Sequence, residues 1–255
     1  MNYAIIEGKK TMPQKQLKGK CISCGSEMIA KCGDVKLHHW AHKGKRHCDP
    51  WWENETEWHR GWKNLFPEDW REVPSKDENG VKHIADIKRP DGFFIEFQNS
   101  AISIEEVESR NLFYKNLVWV VNGCRSVLDL EKSIRFSGLI TCEGIVDVTS
   151  MGLRVCNKWK KLASHIFIDF KDNSSDGRKR IFYLISVDKC DLLCELQVED
   201  FVLMAKSRGG MKPFIQKAHK LKDEVIKSID EKIAIENENK RKRREWEKKF
   251  IDPFR

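Results

Sequence analysis

Between residues 82 and 100 the chain reads KHIADIKRPDGFFIEFQNS. Three of its side chains, Asp86, Glu96 and Gln98, are of the types that hold a divalent cation and orient water. Glu96 and Gln98 are two apart, so in a strand they point the same way, while Ile95 and Phe97 point to the opposite, buried side. Asp86 closes a preceding apolar run, and the turn residues Arg89, Pro90, Asp91 and Gly92 bring it back beside Glu96. Two adjacent carboxylates suit Mg2+ or Mn2+ with water positions left open. A cation held this way neutralises non-bridging phosphate oxygens, lowers the pKa of a bound water and stabilises a departing oxygen, as phosphodiester hydrolysis requires. Gln98 is expected to orient the water. The plain alternative is a strand-end aspartate with a solvated polar face, so the motif draws its weight from its surroundings.

A second cluster lies upstream. Cys21 and Cys24 form a CxxC pair, and LHHWAH then supplies His38, His39 and His42. Zinc takes four soft or borderline ligands in a tetrahedron, and a CxxC turn presents two thiolates to one point. The expected ligands are Cys21, Cys24, His39 and His42. His38 is the alternative to His39, because His38 with His42 fits the common spacing; Cys32, His47 and Cys48 are further candidates. The segment is too poor in aliphatic residues to make a core without a staple. Cysteines grouped in this way in a reducing compartment read as metal ligands rather than disulfides. A closed four-ligand site leaves no position for substrate, so the zinc is expected to be structural.

Several elements must position these groups. Residues 52–65, WENETEWHRGWKNL, predict a helix with Trp58, Trp62 and Leu65 on one face and carboxylates in its first turns. Runs at 69–73, 81–87 and 93–97 predict a three-stranded meander. Ser103 reads as an N-cap ahead of Glu105 and Glu106, opening a helix to about residue 116, and the apolar run 117–121 suits a buried strand. That alternation predicts an α/β fold with a mixed sheet. Past Gly123, runs at 144–148, 165–170 and 181–187 suggest strands that extend the sheet or form an appended β unit, with a polar loop at 171–180. From Pro213 to about residue 250 a long charged helix is expected, with Leu221, Val225, Ile229, Ile233 and Ile235 as its apolar stripe and KRKRR at 240–244. The expected divisions are therefore a zinc module (1–50), a core carrying the carboxylates (51–125), an appended α/β region (126–212) and the terminal helix (213–255).

Composition limits the partners. The 255 residues carry a net charge of +8, which favours an anionic partner, and nucleic acid is the commonest. No stretch approaches the roughly 18 apolar residues of a membrane span, and the N-terminus lacks the apolar core of a secretory signal, so a cytoplasmic protein without membrane contact is expected.

The order helix, three strands, helix, strand around Asp86, Glu96 and Gln98 resembles the restriction-endonuclease-like core, also called PD-(D/E)xK, with Gln98 where the pattern usually has lysine. Taken together, CISC, HHWAH, ENETEWHRGWK, IADI, IEFQNSAIS, and Arg110 and Tyr114 ahead of VWVV resemble the CoiA-like competence protein family over residues 20–122. The resemblance implies a zinc-finger-like element joined to a PD-(D/E)xK nuclease domain, with a role in DNA uptake, recombination or defence against foreign DNA. It places an E-x-x-x-H-x-x-x-K pattern on Glu55, His59 and Lys63, and the cation site on Asp86, Glu96 and Gln98. Glu55 or Glu57 is then within reach of the metal from the first helix. Lys63, Lys88 and Arg110 are the expected nucleic-acid contacts, although His59 and Lys63 also suit a solvated face and Arg110 suits a pair with Glu106. In this chain tryptophan stands in HHWAH where phenylalanine is more usual, and the part after Gly123 has no counterpart in the pattern.

The main reading is thus a metal-dependent DNA nuclease. Its rival is a noncatalytic DNA-binding or recombination-accessory protein, but such a binder has no reason to turn paired carboxylates toward a polyanion. A third reading is an interaction protein working through the terminal helix, with a second copy or another protein as partner. KRKRR suits a phosphate backbone, a partner or a solvated helix end, and Trp51, Trp52 and Trp58 suit base stacking or core packing.

Overall fold

The computed structural model describes residues 1–44, 48–51, 53–125, 144–162, 164–171, 179–187 and 190–250. Two sheets and the helices that cover one of them make an α/β structure. The first sheet is antiparallel and built from β1 (Ala4–Ile6), β2 (Lys9–Thr11), β3 (Lys18–Lys20), β4 (Glu27–Lys31) and β5 (His39–His42), in the order β2-β1-β3-β4-β5. Glu7 and Gly8 both take positive φ in the two-residue β1–β2 connection, the handedness that matches the twist of a hairpin. Ala4, Cys21, Met28 and Trp40 are its buried apolar core, and so small a core needs a further constraint.

The second sheet holds eight strands: β6 (Arg71–Lys76), β7 (Lys82–Lys88), β8 (Phe94–Gln98), β9 (Leu117–Asn122), β10 (Ile145–Asp147), β11 (His165–Asp169), β12 (Arg180–Val187) and β13 (Cys190–Gln197). Their order is β10-β13-β12-β11-β9-β8-β7-β6. β9 pairs in parallel with β8 on one side and β11 on the other. All six of its residues are buried, as a near-continuous apolar run should be when both sheet faces are covered.

On one face lie α1 (Glu57–Lys63), α4 (Val198–Lys206) and the start of α5 (Lys212–Phe250), with Trp62, Phe201, Met211 and Ala218 packed on Ile95, Phe97, Val118 and Val120. The other face carries α2 (Ile104–Phe113) and α3 (Arg154–Trp159), with Val107, Leu153 and Trp159 against Trp119 and Val121. Alternate residues of β9 thus serve opposite cores. α2 makes the crossover from β8 to β9, and Ser103 caps it by accepting the Glu106 amide, as expected.

Three expectations change. The first helix is shorter than 52–65, because Thr56 caps it by accepting the His59 amide, and Leu65 lies beyond its end. Of the two readings for the strands past Gly123, extension of the sheet holds and the appended unit does not, since β11 hydrogen-bonds directly to β9. β13 and α4 were not anticipated: Glu195 and Gln197 interrupt the apolar run of β13, and no cap residue opens α4. The expected terminal helix is present as α5. Its basic run is a salt-bridged helix surface in which Lys240 pairs with Glu236, Arg241 and Lys242 with Glu238, and Arg243 with Glu247. The proposed boundary after residue 125 and most of the 171–180 loop lie outside the described residues, as do Trp52 and His47. None of the helices among the described residues is long and apolar enough to cross a membrane.

Candidate active site and thiolate cluster

The β7–β8 ladder pairs Ile87 with Ile95 and Lys88 with Phe94. Beyond it, side chains take over the backbone amides. Asp86 N–H donates to Glu96 Oε1 (3.2 Å), and Phe97 N–H donates to Asp86 Oδ2 (2.9 Å). Each carboxylate therefore anchors the other strand, and the two face each other across a fork. Glu96 and Gln98 do share one face, as the alternation requires, but that face lies beneath α2 and both residues are buried.

Lys63 projects from α1 into this fork. Its Nζ lies 2.9 Å from Glu55, 3.0 Å from Asp86 and 3.2 Å from Glu72. Burial alone would lower this amine, but Asp86, Glu72 and Glu55 hold it well above its ordinary value. Glu72 takes φ +46°, a strained conformation for a residue with a side chain. Its carboxylate also accepts the Asn2 amide at 2.9 Å and the Tyr3 amide at 3.3 Å, which ties the first sheet to the site. Glu55 accepts from Asn2 Nδ2, and Arg60 donates to Asn2 Oδ1 and to the His38 carbonyl.

Arg110 Nη1 donates to Glu96 Oε2 at 2.8 Å, while its Nη2 donates to Glu106 and to the Trp51 carbonyl. Arg110 thus makes the expected pair with Glu106 and also pairs with Glu96 of the site. Even so, burial and the nearby Asp86 push the Glu96 carboxyl up to about 8. His59, expected on a solvated or phosphate-facing surface, is buried with Nε2 2.8 Å from the Phe97 carbonyl and Nδ1 2.9 Å from Thr56 Oγ1. Burial opposes its protonation, but Glu53 and Asp86 raise its pKa above the ordinary value.

These groups line a cleft of about 210 Å³ between the two sheets. The lining carries six carboxylates (Asp49, Glu53, Glu55, Glu72, Asp86 and Glu96) against Lys63, Arg110 and the imidazoles of His39, His42 and His59. Asp86 and Glu96 keep unused lone pairs after these bonds, and nearby Arg110 Nε and Tyr114 Oη are buried without a hydrogen-bond partner. Surplus carboxylate charge and spare polar capacity are what a hydrated divalent cation would complete.

Some expected site residues lie elsewhere. Gln98 is not among the residues lining the cleft: its Nε2 donates to Glu53 (3.1 Å) and to the Ser100 carbonyl, while its Oε1 is buried without a hydrogen-bond partner. Lys88 sits over the Phe94 ring, away from the cleft lining. Glu57 faces an adjoining groove instead. Trp51 stacks on His83 and Trp58 donates to Asp169, so both are committed within the protein. Asp49, Glu53 and Glu72 were missed. The one usable signal was the acidic spacing of Glu53 and Glu55 before the helix.

At the other end of the cleft, Cys21, Cys24, His42 and Cys48 bring their ligand atoms within 4.8 Å of one another. Cys21 and Cys48 Sγ are 3.6 Å apart, and Cys24 Sγ is 3.4 Å from His42 Nε2. Sulfurs around a tetrahedral zinc with Zn–S bonds of ~2.3 Å sit about 3.8 Å apart, so the set fits a structural zinc. Gly25, at φ +72°, closes the CxxC turn, and the Ser23 amide points at Cys21 Sγ. Burial and the neighbouring Cys21 push the Cys48 thiol up to about 12. His39 is not in the cluster, which corrects the expected ligand set. In β5 the side chains alternate, so His42 shares a face with buried Trp40 while His39 points away and bonds the Leu37 carbonyl. His38 precedes the strand, and Cys48 is the fourth member of the cluster.

Comparison with family models, with curated proteins and with solved structures finds no match.

Proposed function

We propose that the chain is a metal-dependent nuclease that hydrolyses DNA phosphodiester bonds, on a restriction-endonuclease-like core. The observation that carries this reading is the Asp86–Glu96 pair, held face to face in a fork, opening on a cleft with an excess of carboxylates and a buried lysine at 3.0 Å. The order α1, β6–β8, α2, β9, with β8 and β9 parallel, supports the fold assignment. The motif resemblance supports membership of the CoiA-like family and a role in DNA uptake, recombination or defence.

Asp86 and Glu96 are the residues that would hold Mg2+ or Mn2+, which supplies Lewis acidity and a more acidic bound water. Arg110 fixes the orientation of Glu96, and His59 fixes the β8 main chain through the Phe97 carbonyl. Lys63 spends its three N–H donors on Glu55, Glu72 and Asp86, and so holds these carboxylates in place around the site. The Cys3His cluster is structural.

The test is cleavage of circular, linear and single-stranded DNA with Mg2+ or Mn2+ against EDTA, with the Asp86→Ala variant alongside. Metal-dependent products from the unsubstituted protein alone uphold the reading. DNA that is bound and never cut transfers the chain to the accessory class.

A further inference from the structure

We infer that the segment from Cys48 to Trp51 couples the thiolate cluster to the Asp86–Glu96 pair, with Asp49 as the positioning residue, so that zinc occupancy sets the order of the carboxylate site. The inference rests on that pair being the working site.

Cys48 is a cluster ligand, and the very next side chain reaches the other sheet. Asp49 Oδ2 accepts the amide of Ile84 at 2.8 Å, and Oδ1 lies 2.9 Å from His83 Nδ1. Ile84 is two residues before Asp86 on β7. Asp49 is itself buried, and its Oδ1 also accepts the Trp51 amide at 3.0 Å, which closes a tight local turn. Trp51 then acts twice: its ring stacks on His83, and its carbonyl accepts Arg110 Nη2 at 2.9 Å. Arg110 is the group that holds Glu96 at 2.8 Å.

One cluster ligand thus governs both strands of the fork, β7 through Asp49 and β8 through Trp51 and Arg110. The path is four residues long and consists of buried and partly buried contacts, most of them charge-assisted, so displacement of Cys48 is transmitted rather than absorbed. Cys48 itself packs against the small apolar core of the first sheet, so the segment starts from that sheet as well as from the cluster. A zinc ion that fixes Cys48 therefore fixes the place where Asp49 meets β7.

Amide hydrogen exchange reads this geometry without any cleavage. Three amides report it directly: Ile84, bound to Asp49; Asp86, bound to Glu96; and Phe97, bound to Asp86. Exchange is measured on the full chain as zinc-loaded protein, as zinc-stripped protein and as the Asp49→Ala variant, with zinc content determined in each sample. The amides of β12 and β13 serve as the internal control. We expect zinc removal to speed exchange at the three reporters tenfold or more with the control strands unchanged. Asp49→Ala should do the same while keeping its zinc, and Asp49→Asn, which retains an acceptor for Ile84, should recover part of the protection.

Reporters unchanged on zinc removal would overturn the coupling, as would a chain that takes up no zinc. Equal loss of protection in β12 and β13 would also overturn it, because the cluster would then support the whole fold rather than this path. A protein that shows the coupling but never cuts DNA would sink the nuclease reading alone.

Discussion

Replacing Lys63 with methionine tests the electrostatic logic of the cleft most directly. The side chain keeps its length and loses its charge, leaving Glu55, Glu72 and Asp86 without their shared cation. The Lys63, Glu55 and Glu72 side chains are each under a tenth exposed, so solvent screens little of the loss. Removing one partner of a buried ion pair costs about 3–5 kcal/mol. The three contacts share one amine and do not add, so the same range applies to the substitution as a whole. For a chain of this size each kcal/mol lowers Tm by about 2–4 °C, which gives a drop of roughly 6–20 °C. Thermal unfolding followed by circular dichroism, with and without Mg2+, is the assay. Mg2+ should raise Tm more in Lys63→Met than in the parent protein, because a cation can then take the place of the amine among the carboxylates. A drop below about 2 °C, or an equal Mg2+ response in both proteins, would refute the claim that Lys63 neutralises this site.

Other outcomes follow from the same geometry. Cys48→Ser should lose bound zinc while His39→Ala retains it, measured as metal per chain by mass spectrometry. Gln98→Ala should keep metal-dependent cleavage within a few-fold of the parent, whereas Glu96→Ala should abolish it with the circular dichroism spectrum preserved; equal losses in both would return Gln98 to the site. His59 has a raised pKa in the folded chain, so its contribution is fully present below its ordinary value of 6.5 and is lost as pH rises through the folded value. Urea midpoints measured across that window should fall with pH in the parent and stay flatter in His59→Gln.

The sequence announced the carboxylate pair because strand alternation and a turn-forming tetrapeptide are local signals, and both survive in β7 and β8. It also announced β9, whose apolar run is long enough to exclude an exposed strand. It did not reveal that Glu96 faces a buried side, since that depends on α2 and Trp51 closing over it from elsewhere in the chain. Lys63 and His59 looked like one face of an amphipathic helix; only the convergence of Glu55, Glu72 and Asp86 makes burial of the amine tolerable. Glu72 and Asp49 gave no signal, because one depends on a left-handed backbone at a single residue and the other on a contact to β7 across 35 positions. The choice between His39 and Cys48 turned on the phase of a four-residue strand, which periodicity cannot read over so short a span.

The parallel pairing of β11 with β9 bears on how the molecule can be divided. A fragment ending at residue 125 would keep every residue of the proposed site but strip β9 of one neighbour, turning an interior strand with the run LVWVV into a bare, apolar edge. Such an edge recruits strands from other chains. The fragment should therefore aggregate on expression while the longer chain stays dispersed, and the site cannot be lifted out as a free-standing unit for engineering or assay.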